Sequence, residues 1–287
     1  MYAKVGGFTM HASKRLLLLA VSILGLVGFT TGAAADSISP INFETYTIGS
    51  IDGQQGWLKS GPYDAAVTNV GQRYGFGNQS LRISDAVTSG SFGDQTFSPG
   101  LASPAGETGM KIFNSTFRIG TTQDLLQTGL HVSVSPDSGD GGRMSYLRFE
   151  DQADGVHVFF DDATNPGPVG HETSFNEDDI ATLSRTSAHT ITFSMSFRPG
   201  PGNDWVKVTI DGSTKIVGTT WEDYYRYDAE QSGNGNQIPL ISKMLFRVSG
   251  TANPANDGNG FLVDDLSLSS SPNPGRGTNG PSALLKH

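Results

Sequence analysis

The chain of 287 residues carries 28 Asp and Glu against 19 Lys and Arg, a formal net charge of −9, with 37 glycines, 14 prolines and no cysteine. Such an acidic chain lacks the basic footprint of a nucleic-acid or anionic-membrane binder, and its surplus of turn formers speaks against a helical bundle. The missing thiol excludes disulfides, thiol catalysis and cysteine-based metal sites.

At the N-terminus, Lys4, Lys14 and Arg15 precede an apolar run from Leu16 to Phe29, followed by small residues up to Ala35. Charged, apolar and small segments in that order predict a secretory signal peptide over 1–35, cleaved after Ala35. The alternative, a single membrane anchor, needs about 20 apolar residues, and this run is shorter. The exported chain then has 252 residues and a net charge of −12. It is expected to be secreted, without a membrane partner, and long enough to bury a full core.

From Ile41 onward, short alternating or apolar runs are separated by Gly, Asn, Asp, Pro and Ser, the pattern of a many-stranded antiparallel protein. Strands are predicted over 41–47, 65–70, 80–83, 111–118, 129–135, 143–150, 156–161, 189–197, 205–211, 214–217, 241–248 and 261–269. With no large gap among them, they imply one all-β, two-sheet antiparallel sandwich over 36–270. Residues 271–287 lack apolar periodicity and read as a tail.

Two hairpins set local register. Asp154-Gly155 suits a two-residue turn, which places Phe149 opposite Phe160 and Arg148 opposite Asp161. Leu147, Phe149, Val158 and Phe160 then share an apolar face, while Tyr146, Arg148, Glu150, His157, Phe159 and Asp161 share the other. In the second hairpin Val206, Val208 and Ile210 alternate with polar residues before Asp211-Gly212.

The string from His189 to Met195, followed by Trp205 to Gly212, resembles the central hairpin of concanavalin A-like (laminin G-like) jelly-roll domains. Asn42-Phe43-Glu44 and the run Phe261 to Leu268 look like the neighbouring first and last strands of secreted carbohydrate-binding jelly rolls. The resemblance implies a jelly-roll sandwich, and a structural Ca2+ held by Glu44 with Asp264 or Asp265. Two carboxylates brought together on adjacent strands repel unless a hard cation neutralises them; the other reading of the three is solvated edge charge. Residues 137–142 also form an oxygen-rich loop, but without EF-hand spacing, and read as a plain turn.

Two clusters could carry chemistry. If the polar face of the first hairpin is concave, Arg148 could neutralise a uronate carboxylate while Tyr146 or His157 moves a proton, with Glu150 alongside, as a polysaccharide lyase requires. The alternative is a surface ladder of paired charges. The second cluster, Trp221 to Tyr227, offers aromatic faces for sugar stacking through Trp221, Tyr224 and Tyr225, with Asp161 taking hydroxyls. Its rival role is to plug the end of the sandwich. The Glu-x-Asp-x-x-Glu string of jelly-roll glycosidases is absent, as are intact alginate-lyase motifs, a Gly-x-Ser-x-Gly elbow, a Walker loop and a His-Glu-x-x-His helix. The expected function is therefore polysaccharide binding by a secreted monomer. A lyase or glycoside hydrolase in the concave cleft, and an extracellular protein-recognition module, stand as alternatives.

Overall fold

The computed structural model describes residues 34–89, 94–165, 167–248 and 250–272. Apart from residues 34, 35, 271 and 272, the segments read as signal peptide and tail lie outside them. The strands are, in chain order, β1 (Asp36–Ile41), β2 (Gly49–Ser50), β3 (Leu58–Ser60), β4 (Asp64–Thr68), β5 (Ser80–Ser84), β6 (Gln95–Phe97), β7 (Ile112–Thr121) and β8 (His131–Asp137). They continue as β9 (Leu147–Gln152), β10 (Gly155–Thr164), β11 (Ser174–Leu183), β12 (His189–Ser196), β13 (Trp205–Ile210), β14 (Ser213–Thr219), β15 (Lys243–Arg247) and β16 (Phe261–Ser271). One short helix, α1 (Glu222–Tyr227), follows β14. No helix among the described residues is long and apolar enough to cross a membrane.

The strands form two antiparallel sheets. The first runs β14-β13-β12-β7-β16-β5-β4-β2, with β1 also paired to β16. The second runs β11-β10-β9-β8-β15-β6-β3. Strict alternation turns Ile191, Phe193 and Met195 of β12 and Val206, Val208 and Ile210 of β13 inward. From the other sheet come Leu147, Phe149, Val158 and Phe160, each fully buried. Rings meet across the layers: Phe117 of β7 contacts Phe149 and Phe246 edge-on, with centroids 6.5 and 6.0 Å apart. Trp57 is buried in the same core. The all-β sandwich expected from the pattern is the observed architecture.

Several details differ from the sequence expectation. The first strand ends at Ile41, and residues 42–47 turn instead of extending. Phe43 takes a positive φ, the Tyr46 amide bonds back to its carbonyl, and both rings enter the core. The strand expected from Arg143 begins only at Leu147, because Arg143 forms an isolated bridge to Asp137 at the end of a tight loop. Strands β2, β3, β6 and β11 are additional.

The β9–β10 hairpin turns through Ala153-Asp154, one residue earlier than expected. It pairs Gly155 with Gln152, Val158 with Phe149 and Phe159 with Arg148, not Phe160 with Phe149 or Asp161 with Arg148. A glycine is needed at 155 for close approach to β11: a Cβ there would lie 2.6 Å from Thr182 Cγ2 and 2.8 Å from the Leu183 carbonyl. Moving the turn by one residue shifts each pairing by two, so the side-chain period of two leaves the apolar and polar faces as expected. The second hairpin turns at Asp211-Gly212, both at positive φ, as a two-residue primed turn demands.

Candidate functional site

The outer face of the seven-stranded sheet is polar. Registers align Phe159, Arg148, Ser133, Arg247 and Gln95 in one row across β10, β9, β8, β15 and β6. His157, Glu150 and His131 form the next row. Arg148 makes a two-pronged bond to Glu177 of β11, Nε to Oε1 at 2.9 Å and Nη2 to Oε2 at 2.7 Å, and its Nη1 reaches Glu150. Its guanidinium also lies 4.1 Å from the Phe159 ring centroid. The cation is thus occupied on every side.

His157 is similarly held. Nε2 lies 2.9 Å from Asp154 Oδ1 and Nδ1 lies 2.6 Å from Asp179 Oδ2. The bonds to Asp154 and then Asp179 raise its pKa, favouring the imidazolium. Asp161 stands opposite Glu177, and burial, then that charge, pushes its carboxyl up to about 6. Burial also raises the Tyr146 phenol, with Asp161 adding to the effect.

The sequence reading missed the acidic partners Glu177 and Asp179 because β11 was not recognised. Its run Ser174 to Asp179 is exposed, as befits an edge strand whose charges discourage further pairing, so it has no apolar alternation. Arg247 was assigned only as strand material; desolvation and the neighbouring Arg143 lower its pKa.

The aromatic run forms α1 and borders a separate feature. Trp221 stacks on Tyr146 at 6.0 Å and 18°, meets Phe175 and Tyr224 edge-on, and donates its indole N–H to the Asp161 carbonyl at 3.3 Å. A cleft of about 740 Å³ opens beside it. Trp221, Tyr224, Tyr225 and Arg143 line one part, and Asp140, Glu230, Gln231 and Asn234 supply polar groups elsewhere. Tyr225 is only 7% exposed and joins the core while bordering the cleft. The Tyr224 hydroxyl donates to Glu230 at 2.9 Å and accepts from Gln231 at 2.7 Å. Burial, then Glu230, pushes that phenol up to about 12, so it stays protonated. Of the expected site residues, Trp221, Tyr224 and Tyr225 line the cleft. Tyr146, Arg148, Glu150, His157 and Asp161 lie on the strand face, which the Trp221–Tyr146 stack joins to it.

On the first sheet, a bulge in β16 puts Asp265 at positive φ. Asp264 is 2% exposed; burial, with Asp265 and Glu44 contributing, pushes its carboxyl up to about 7. Glu44 accepts from the Asn78 amide at 2.6 Å, whereas Asp265 pairs with Arg118 at 3.6 Å. In the loop at 137–142, Asp137 Oδ1 accepts from the amides of Gly139 and Gly141, the bonding of a self-contained turn.

No family model matches the chain, and no curated protein matches it. Among solved structures, a sialidase aligns with 82% of this chain and 18% of its own, at 11% identity and a TM-score of 0.45. Endo-β-1,4-glucuronan lyase from the fungus Trichoderma reesei aligns over 78% and 93%, at 14% identity and 0.43. β-Agarase A in complex with oligoagarose aligns over 84% and 94%, at 12% identity and 0.45. The chain spans under a fifth of the sialidase.

Proposed function

We propose that the chain binds polysaccharide, seating a saccharide segment in the cleft beside α1 and extending it along the polar face of the seven-stranded sheet. The cleft carries this reading: its wall sets the aromatic surfaces of Trp221 and Tyr224 among carboxylate, amide and guanidinium groups, the mixture that accommodates sugar rings and their hydroxyls. Binding is favoured over catalysis by the state of the expected catalytic groups. Arg148 is neutralised by Glu150 and Glu177, so little of its charge is left for a uronate. The carboxylates on both ring nitrogens of His157 favour its protonated form, and burial raises the Tyr146 phenol, so neither is poised as a base. The proposed setting is extracellular, with the protein acting as a monomer after loss of residues 1–35.

Affinity electrophoresis through gels containing neutral or uronate polysaccharides tests the proposal. Retardation by at least one glycan is expected, weakened by Asn234→Ala at the rim and by Trp221→Ala in the wall. No retardation across a broad panel overturns it and leaves protein recognition ahead. Accumulation of unsaturated products or new reducing ends, lost in Tyr146→Phe, would instead establish an enzyme.

A structural Ca2+ belongs to the same proposal. Glu44 and Asp264 are the fitting pair, since the Glu44 charge helps to raise the buried Asp264 carboxyl, while Asp265 is engaged by Arg118. A chelator should lower the Tm of the wild type, and this part of the response should vanish in Asp264→Asn. An unchanged transition removes the ion.

A further inference from the structure

A second group of carboxylates shares no residue with Glu44, Asp264 and Asp265. Glu107 comes from the loop leading to β7, Asp204 from the residue before β13, and Glu222 from the first turn of α1. One oxygen from each lies within 4.8 Å of the others. Asp204 and Glu222 are 4% and 2% exposed. Each is oriented by a backbone amide on one oxygen only: Arg198 N–H to Asp204 Oδ1 at 2.5 Å, and Asn203 N–H to Glu222 Oε1 at 2.8 Å. The other oxygens, Asp204 Oδ2 and Glu222 Oε2, are buried without a donor, and the two carboxylates face each other closely enough to repel when both are ionised. An anionic oxygen in that position carries a large desolvation cost unless something positive meets it.

Arg226 meets only part of the need. Its Nη2 bonds Glu107 Oε1 and lies 3.8 Å from Glu222 Oε2, beyond hydrogen-bond reach. Asp223, which also interacts with Arg226 and opposes ionisation of Glu222, adds another acid. Glu107, Asp204, Glu222 and the neighbouring Asp223 thus outnumber the one guanidinium, an excess of negative charge that a divalent cation would offset.

We propose that Glu107, Asp204 and Glu222 form a divalent-cation site suited to Ca2+, which fastens α1 and the cleft wall it carries to the loops before β7 and β13. The all-oxygen donor set is that of a hard cation, and oxygens that all lie within 4.8 Å of one another can reach a single ion with bonds of about 2.4 Å. Mg2+ is usually held by one or two carboxylates and several waters, whereas Ca2+ takes about six to eight oxygens in a flexible geometry. The site is separate from Glu44 and Asp264.

The test is a Ca2+ titration of chelator-treated, purified protein, read by Tm and by terbium luminescence excited through tryptophan. Trp205 and Trp221 adjoin two of the ligands in sequence, so bound terbium should be sensitised. Saturating Ca2+ should raise the Tm by roughly 5–10 °C. The double variant Asp204→Asn/Glu222→Gln should lose most of that rise and the luminescence it competes with, whereas Asp264→Asn, which removes only what the Glu44–Asp264 ion contributes, keeps the rest of the rise and the sensitised luminescence. Both amides retain the oxygen that accepts the backbone N–H, so the double variant should fold, with a Tm in chelator at least equal to the wild type's. A response unchanged in the double variant, lost only in Asp264→Asn, or absent from the wild type overturns the proposal. The second of those outcomes would leave the Glu44–Asp264 ion standing.

Discussion

Arg148 offers the sharpest separation between a structural and a substrate-facing role. Its fork on Glu177 and its bond to Glu150 tie β9 to itself and to the edge strand β11, across β10, and the guanidinium lies over Phe159. In Arg148→Met the stem still packs on Phe159, but both acids lose their counter-charge. Pairs with partners as exposed as Glu150 (34%) and Glu177 (38%) contribute modestly. Roughly 0.2–1 kcal/mol is expected for such a pair, with about 0.5–1 kcal/mol more from the cation over the ring. The variant should therefore lose about 1–2 kcal/mol of stability in urea unfolding. A double-mutant cycle with Glu177→Gln should return a coupling of roughly 0.5–1 kcal/mol that shrinks in molar salt. Glycan retardation should persist. Stability unchanged within about 0.3 kcal/mol, together with lost retardation or lost product release, would refute the reasoning and place the guanidinium on the substrate.

Two further consequences concern neighbouring groups. Because Asp154 and Asp179 raise the His157 pKa above its ordinary 6.5, their stabilisation is fully present below that value and fades as pH rises through the folded-state pKa. The stability gap between wild type and His157→Gln should thus be wider at pH 5.5 than at pH 8.5; the reverse slope in urea titrations would contradict the ion pairs. Arg185 donates from Nε to Asp151 Oδ1 at 2.6 Å, and the Asp151 side chain is fully buried. Arg185→Met should cost about 3–5 kcal/mol, since it strands a buried charge, and Asp151→Asn in the same chain should recover part of that loss in thermal unfolding.

Most of the sandwich was legible because its core obeys one rule. Over most of β9, β10, β12 and β13 alternate residues are apolar and inward, and that parity survives errors in turn placement: the β9–β10 turn moved by one residue, yet Leu147, Phe149, Val158 and Phe160 remained inside. What parity cannot supply is the partner directly opposite. Asp154-Gly155 reads as a turn, but the close packing of Gly155 against Thr182 and Leu183 lies in β11, which local sequence did not reveal. Short strands such as Gly49–Ser50 and Leu58–Ser60 have too few residues to express any period.

The site was legible in composition more than in wiring. Tyr146, Arg148, Glu150 and His157 could be placed on one face from β9 and β10 alone, but their chemical state is set by Glu177 and Asp179 on a strand whose exposed, acidic sequence conceals it. The same features that protect an edge strand from pairing with other chains remove the hydrophobic alternation by which strands are recognised. Reading the face without β11 therefore leaves Arg148 and His157 looking available for chemistry. Adding β11 turns one into a neutralised strut and sets the other against a second carboxylate, which leaves the cleft beside Trp221 as the site proposed for the ligand. Glu107, Asp204 and Glu222 were harder still to foresee, because they converge from a loop, a strand entry and a helix start with no common spacing in the chain. Only the buried, unpartnered oxygens of the folded protein mark them out.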